Sequence, residues 1–221
     1  MQKILGYIRK AVQEFDLIEK GDKIAVGISG GKDSLVLLSG LALMRRFAEF
    51  DYDIVAVTID PGFNGVPNNY EAVARLCEKL DVPFSLVHTQ IGEIVFDVRK
   101  EPNPCSLCAN MRRGALHDAA KAAGCNKLAL GHHNDDVIET FIMNLFKEGR
   151  IGCFSPKTHL DRKDITVIRP LVLAPESQVI SACNRNSLEV VKSVVLRIRL
   201  RQDNRQKNSL PIWSERIKAS S

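Results

Sequence analysis

Six consecutive residues, Ser29-Gly30-Gly31-Lys32-Asp33-Ser34, have the chemistry of a phosphate-binding loop. They follow a short apolar run and precede a segment with helical periodicity, so the loop is expected at the amino terminus of a helix. Unpaired backbone N–H groups and the positive end of the helix dipole attract anions there. The glycines let the backbone approach phosphate oxygens, while the serine hydroxyls and the Lys32 ammonium add donors. The segment therefore predicts a cradle for a phosphorylated ligand.

The spacing of this loop differs from two common nucleotide-binding patterns. The nucleoside-triphosphatase loop needs four residues between its first glycine and Gly-Lys, followed by Ser or Thr, but Gly27 lies one residue too close and Asp33 follows Lys32. The dinucleotide fingerprint needs spaced glycines and an acidic residue about 20 positions later. A tight strand-to-helix turn without a ligand is an alternative, although such a turn does not need Lys-Asp-Ser.

Two further segments carry polar residues where the ligand of such a loop is expected. Val57-Thr58-Ile59-Asp60 ends an apolar run, and Asp60 is a candidate ligand for a ribose or a base, with a turn or cap residue as the alternative. Gly131-His132-His133-Asn134-Asp135-Asp136 precedes another helical segment. Asp135 and Asp136 are candidate functional carboxylates, although paired acids also cap helices. If the first and fourth strands are neighbours, this second loop lies beside the phosphate loop at the switch point of the sheet.

The pair Cys105-Ser106-Leu107-Cys108 lies between these two segments, after a proline-rich loop and at the start of a helix. Two thiols at this spacing can bind one metal, form a redox disulfide, or do neither. Arg112 follows one helical turn after Cys108, and a surface salt bridge is the alternative role for it. Cys77, Cys125, Cys153 and Cys183 read as packing residues.

The elements that must position these residues alternate along the chain. Apolar runs without period-two alternation, separated by helical segments, predict an α/β fold with a doubly wound parallel sheet of about five strands. The expected strands are 23–28, 54–59, 84–87, 127–130 and 165–172, and the expected helices are 2–18, 33–47, 70–80, 106–123, 135–147 and 176–185. A long loop is expected between 88 and 105.

Length and composition limit the number of domains and the class of protein. The 221 residues, 45% hydrophobic and 26% charged, suit one domain of ordinary size. The net charge of +5 arises from residues 195–221, which hold seven Lys and Arg against two Asp and Glu, so the remainder is neutral. No apolar run approaches the roughly 20 residues of a membrane span, and we expect a cytoplasmic protein with reduced thiols and no membrane partner. The expected organisation is an amphipathic helix at 1–22, a nucleotide-binding domain at 23–193 and an atypical basic tail at 194–221.

Ser-Gly-Gly-x-Asp-Ser at 29–34 and Gly-His-His-x-Asp-Asp at 131–136 resemble the two motifs of the pyrophosphatase-loop (PP-loop) ATPases. The resemblance implies an adenine-nucleotide alpha-hydrolase-like fold, in which ATP is cleaved between its alpha and beta phosphates and AMP is joined to the substrate. It implies that Asp33 helps to organise Mg²⁺ and that Asp135 and Asp136 are catalytic. It also implies that residues 29–34, together with Asp60, Gly131 and His132, bind ATP.

The cysteine pair narrows the resemblance to one branch of that family. Cys-x-x-Cys followed by Met-Arg-Arg-Gly, then Phe-x-Met-Asn-Leu-Phe and Val-Ile-Arg-Pro-Leu, is similar to the two-thiocytidine tRNA thiolases over about residues 1–190. The resemblance implies a tRNA substrate, a sulfur donor such as a cysteine desulfurase, a [4Fe–4S] cluster held by three cysteines, and Arg112 facing the reacting centre. It is compatible with a homodimer.

The chain departs from this branch after residue 190. A cysteine in that region supplies the third cluster ligand in the family, but here Lys192 to Leu196 contains none, and Cys183 is the nearest substitute. Two alternatives follow. One is a PP-loop ligase that uses an amine, such as a tRNA lysidine synthetase or an amide-forming synthetase. The other is a non-catalytic nucleotide- or zinc-binding module with a basic RNA-binding tail.

Overall fold

A computed structural model describes residues 1–63, 69–99 and 104–191. Within these ranges the chain alternates strands and helices, as its hydrophobic pattern predicts. The strands are β1 (Lys23–Gly27), β2 (Asp53–Asp60), β3 (Phe84–His88), β4 (Lys127–Ala129), β5 (Lys157–Leu160) and β6 (Ile165–Ile168). The helices are α1 (Gln2–Glu14), α2 (Lys32–Arg45), α3 (Glu71–Leu80), α4 (Ile91–Glu93), α5 (Pro104–Ala122), α6 (Asn134–Glu148) and α7 (Glu176–Arg185). A π-helical segment, Ile94–Arg99, continues α4.

The strands form one sheet in the order β3-β2-β1-β4-β6-β5. All neighbouring pairs are parallel except β5 and β6, which are antiparallel. The chain runs from β1 outward to β3 and then returns to place β4 on the other side of β1. The strand order therefore reverses between β1 and β4, and their carboxyl ends form the crevice where such sheets bind ligands.

The central strands are buried on both faces, which explains their continuous apolar sequences. On one face, Ile54 and Ala56 of β2 join the main core with residues of α1, α2, α3 and α7. On the other face, α5 packs across β2 and β4. Helix α1 belongs to the main core, because Ile4 and Ile8 are buried there and Ile8 contacts the small Gly40 of α2.

Three of the described regions differ from the sequence-based expectations. The sheet has six strands rather than about five, because Lys157–Leu160 forms an antiparallel edge strand. Its polar sequence Lys-Thr-His-Leu carries little strand signal, and a tight turn in which Asp164 N–H bonds to Asp161 O returns the chain to β6. Residues 91–99 are helical instead of part of a long loop. The strand expected to reach Val172 ends at Ile168, because Pro170 cannot donate a backbone hydrogen bond.

None of the described helices combines the length and apolarity that a membrane span requires. The expected basic tail, 194–221, lies outside the described residues.

Candidate functional site

The predicted phosphate loop connects β1 to α2 and is held in shape by its own serines. Gly30 has φ +82°, a conformation that favours glycine. Ser29 Oγ accepts a hydrogen bond from Gly31 N–H at 3.3 Å, and Ser34 Oγ donates to Gly31 O at 2.9 Å. Gly31 is the N-cap of α2, so the loop presents the free N–H groups of this helix end. The local geometry is that of an anion cradle.

The second predicted loop packs directly on the first. A Cβ atom at Gly131 would lie 3.0 Å from the carbonyl carbon of Asp33 and 3.2 Å from the backbone nitrogen of Ser34. His133 caps α6: its ring nitrogen accepts from Asp136 N–H, and Asp136 Oδ2 accepts from His133 N–H at 2.8 Å. The adjacency of β1 and β4 therefore brings the two motifs together, as the sequence pattern predicts.

The two loops and α5 enclose a cleft of about 440 Å³. Apolar side chains from the sheet and α5 form part of it, and polar groups from both loops converge on it. This combination is typical of small-molecule sites. The lining residues include Ser29, Asp33, Ser34, Val57, Ile59, Ala109, Arg112, Arg113, Leu116, His117, Leu130, Gly131, His132 and Asp136.

Lys32 lies beside this cleft without lining it. Its ammonium is 2.9 Å from Glu176 Oε1 and 3.1 Å from Asp33 Oδ1. Burial alone would lower the pKa of Lys32, but the hydrogen bonds to Glu176 and Asp33 outweigh it and raise that pKa. The lysine is thus a fixed cation, and a bound phosphate would compete with Glu176 for it.

Asp135 and Asp136 occupy different environments although they are adjacent. Asp136 lines the cleft. Asp135 Oδ2 instead accepts the backbone N–H of Glu176 at 2.7 Å and so joins the start of α6 to the start of α7. Asp136 also accepts the N–H of His133 in the cap of α6, so each carboxylate has a structural contact, and only Asp136 lines the cleft as well. The catalytic role suggested for both stays a prediction.

Asp60 is buried at the end of β2 and is absent from the lining of the cleft. Its carboxylate accepts from Gly62 N–H at 3.3 Å and lies 3.3 Å from His88 Nδ1. In this conformation the carboxylate holds the backbone directly after β2, at Gly62. The suggested contact between Asp60 and the ribose or base stays a prediction.

Arg112 lines the cleft and forms no ion pair within the described ranges. Its neighbour Arg113 also lines the cleft and donates to Asn110 Oδ1. Two arginines of α5 therefore line the cleft that the phosphate loop also lines. Such groups stabilise negative charge that develops on a phosphate or an oxyanion.

Sequence reasoning did not select Arg113, His117, His133 or Glu176. His133 is buried among four carboxylates, with Asp33 at 3.8 Å, Asp136 at 3.4 Å, and Asp135 and Glu176 at 3.8 and 4.0 Å. Helical spacing from Arg113 could have indicated His117, which lies four residues later on the same helix. Burial lowers the pKa of His117, and the nearby Arg113 and Lys163 lower it further.

The cysteine pair begins the helix that carries Arg112. Cys105 is exposed and Cys108 is buried, and burial raises the pKa of the Cys108 thiol, although Arg112 opposes that shift. Cys183 is buried in α7, where its sulfur lies 3.8 Å from Leu188 O. No group of three His, Cys, Asp or Glu side chains suited to a metal ion occurs in the described part of the chain, which contains all six cysteines.

Comparison with known proteins identifies the family of the chain. Residues 3–193 match the family model ATP_bind_3, described as a PP-loop domain. The tRNA-cytidine(32) 2-sulfurtransferase of Pelobacter propionicus is 43% identical over 185 residues, which are 83% of this chain and 68% of that protein. The protein of the same name from Geobacter metallireducens is 41% identical over 191 residues, covering 86% and 74%.

A solved structure shares the fold and part of the sequence. The U34-tRNA thiolase NcsA from Methanococcus maripaludis, with its [4Fe–4S] cluster, is 28% identical with a TM-score of 0.69. The match covers 87% of this chain and 66% of NcsA. The chain thus spans about two thirds to three quarters of the length of these three proteins.

Proposed function

The chain belongs to the PP-loop family, and we propose that it is an ATP-dependent tRNA thiolase that replaces the C2 oxygen of a cytidine with sulfur. The main support for this proposal is the cleft, which is lined by the phosphate loop and by α5. Helix α5 begins at the cysteine pair and bears Arg112. The names of the relatives support a tRNA cytidine as substrate.

Such a reaction has two steps, the adenylation of the cytidine oxygen and the displacement of AMP by sulfur. The free N–H groups of the loop bind the phosphates of ATP, and Lys32 exchanges Glu176 for a phosphate oxygen. The cytidine O2 attacks the alpha phosphorus, and pyrophosphate leaves. A poor leaving group thereby becomes AMP, which a sulfide-level nucleophile displaces from C2. Arg112 and Arg113 stabilise the charge that develops on phosphate.

The residues present fit a magnesium ion. Mg²⁺ in ATP sites is held by one or two carboxylates and by the phosphates themselves, so a complete protein cage is not required. Asp33 and Asp136 both line the cleft. Asp33 Oδ1 is buried without a hydrogen-bond partner, and its charged neighbours are Lys32 at 3.1 Å and His133 at 3.8 Å. When bound, Mg²⁺ would offset the charge of the departing pyrophosphate.

The residues present do not complete a three-cysteine [4Fe–4S] site. Cys105 and Cys108 supply two thiolates, and Cys183 does not join them. No step is therefore assigned to a cluster, and the sulfur donor, such as a cysteine desulfurase, is a separate partner. The incomplete thiolate set is also the observation that favours a second candidate, a PP-loop ligase that uses an amine.

The nucleosides of tRNA test the proposed function. We expect tRNA from cells that express this chain in a strain lacking its own enzyme to gain a thiolated cytidine, detected by mass spectrometry. A paired assay measures pyrophosphate release from purified protein with unmodified tRNA and ATP. Pyrophosphate release with an amine-modified or unaltered nucleoside would exclude thiolation.

Iron content tests the cysteine pair separately. After anaerobic reconstitution we expect less than one full four-iron cluster per chain, because two protein thiolates leave two irons without protein ligands. Cys105→Ser and Cys108→Ser should each abolish the iron binding that the parent chain shows after reconstitution. Both variants should retain ATP binding. Cys77→Ser, at a buried thiol of α3, is the control, and a full cluster that survives Cys105→Ser would contradict this assignment.

A further inference from the structure

His132 lines the cleft, but the contact that orients its ring comes from outside the cleft. Its Nδ1 is buried and has no hydrogen-bond partner in the described part of the chain. The ring lies against Phe154, with the two centroids 4.9 Å apart and the planes inclined by 39°. This distance is favourable for a pair of aromatic rings. The neighbouring His133 is instead fixed by the capping hydrogen bonds of α6, so only the His132 ring depends on Phe154.

Arg169 lies against the same phenylalanine. Its guanidinium carbon is 4.8 Å from the centroid of the Phe154 ring, within the range of a cation–π interaction. Arg169 directly follows β6, and the pairing of β6 with β4 places it beside the loop that carries His132. Neither Phe154 nor Arg169 lines the cleft. Phe154 therefore connects a residue of the cleft with a cation outside it.

The backbone around Phe154 is held on both sides of the ring. Before it, the Cys153 thiol donates to the carbonyl oxygen of Val137 in α6 at 3.3 Å. After it, the carbonyl oxygen of Ser155 accepts from Arg169 Nη1 at 2.6 Å. These contacts fix the segment at α6 and at the end of β6, so the Phe154 ring is a firm support for its neighbour.

The charge of Arg169 is not balanced by a carboxylate. Arg169 forms no ion pair within the described ranges, and its Nε is buried without a hydrogen-bond partner. Burial lowers the pKa of Arg169, and a cation buried in this way costs free energy. An apolar side chain would support Phe154 without that cost. The charge is therefore better explained by its effect on the adjacent imidazole than by packing alone.

Burial lowers the pKa of His132, and the charge of Arg169 lowers it further, against the opposing charge of Asp136. A neutral imidazole carries one N–H donor and one acceptor nitrogen. The residue before it, Gly131, packs against the backbone of Asp33 and Ser34 in the phosphate loop. The donor of His132 is thus close to the part of the cleft where phosphates bind.

We propose that Phe154 and Arg169 are positioning residues, which hold the His132 ring so that its N–H donates to a phosphate oxygen of bound ATP. The inference rests on the proposed function, because it places ATP in the cleft. Without the ring of Phe154, His132 turns away from the phosphate and the hydrogen bond is lost.

Calorimetric titration of the whole chain with ATP tests this proposal. Phe154→Leu removes the ring but keeps an apolar side chain, and it should weaken ATP binding roughly three- to tenfold, the scale of one lost hydrogen bond. Phe154→Tyr keeps the ring and should retain the affinity of the parent. Phe50→Leu is the matched control, because it breaks the contact of Phe50 with Tyr52, centroids 6.3 Å apart, away from the cleft. Equal affinity of Phe154→Leu and the parent would overturn the proposal.

A double-mutant cycle with His132→Ala separates positioning from packing. Residues that act through His132 have no further effect once its ring is removed. Phe154→Leu and Arg169→Lys should therefore each weaken ATP binding in the parent chain and leave it unchanged in His132→Ala. Losses that multiply in the double variants would refute a role through His132, and for Arg169 they would indicate a direct contact with the ligand.

Nuclear magnetic resonance of the histidine rings tests the contact without ATP. The ring protons of His132 should change chemical shift in Phe154→Leu, because the ring current of Phe154 is lost, and should keep the shift of the parent in Phe154→Tyr. Unchanged His132 signals in Phe154→Leu would contradict the contact. These measurements use no tRNA, so they stand apart from the thiolation assay. A parent chain that fails to bind ATP would instead contradict the proposed function and this inference with it.

Discussion

Asp33→Asn is expected to lower ATP-to-pyrophosphate turnover by at least roughly two orders of magnitude, the scale seen when a group that stabilises transition-state charge is removed. Asp33 lines the cleft, belongs to the phosphate loop, and lies 3.1 Å from the Lys32 ammonium. Asparagine keeps the size of the side chain and removes the charge that a magnesium ion needs. Stopped-time assays of pyrophosphate at saturating Mg²⁺ and ATP measure the effect.

The fold should survive this substitution. Asp33 lies in the first turn of α2, where loss of its charge costs about 0.3–1 kcal/mol through the helix dipole. Denaturant unfolding of the same preparation separates this small loss from a loss of chemistry. Asp161→Asn is the control, because the side chain of Asp161 is 97% exposed and lies in the β5–β6 turn. Turnover of Asp33→Asn within twofold of the parent would contradict the assigned role.

Gly131→Ala is expected to lower ATP affinity at least roughly tenfold and to destabilise the fold by about 1–3 kcal/mol, the usual range for overpacking. The added methyl group would lie 3.0–3.2 Å from backbone atoms of Asp33 and Ser34. Backbone atoms cannot move aside as a flexible side chain can. The second loop must therefore shift away from the phosphate loop, which separates Asp136 and His132 from the phosphates.

Gly114→Ala is the matched control for this prediction. Gly114 lies within α5, and a Cβ atom there meets nothing within 4 Å. Alanine in a helix should leave ATP affinity unchanged and stabilise the fold by up to about 1 kcal/mol. Calorimetric titration with ATP and thermal unfolding of both variants give the comparison. Equal ATP affinity and melting temperature in Gly131→Ala and the parent would show that the two loops do not depend on this contact.

Most of the architecture could be predicted from local sequence. Buried parallel strands are continuous apolar runs, and α7 was predicted with its observed bounds because its amphipathic pattern is bounded by proline and polar residues. The edge strand β5 was not predicted, since an exposed strand of four residues with a polar sequence lacks the apolar signal. The helix at 91–93 and its π-helical continuation were also missed.

The phosphate loop could be predicted from sequence alone, because the glycines, the serines and the helix end that shape it lie within six consecutive residues. Only the tertiary structure decided how the polar residues divide their roles. Asp135 and Asp136 are equivalent in sequence, yet one holds the start of α7 and the other lines the cleft. Glu176 and His133 enter the site from α7 and from the cap of α6, and no local pattern relates them to Lys32 and Asp33. These contacts depend on the parallel pairing of β1 with β4 at the centre of the sheet, a long-range pairing that local propensities do not encode.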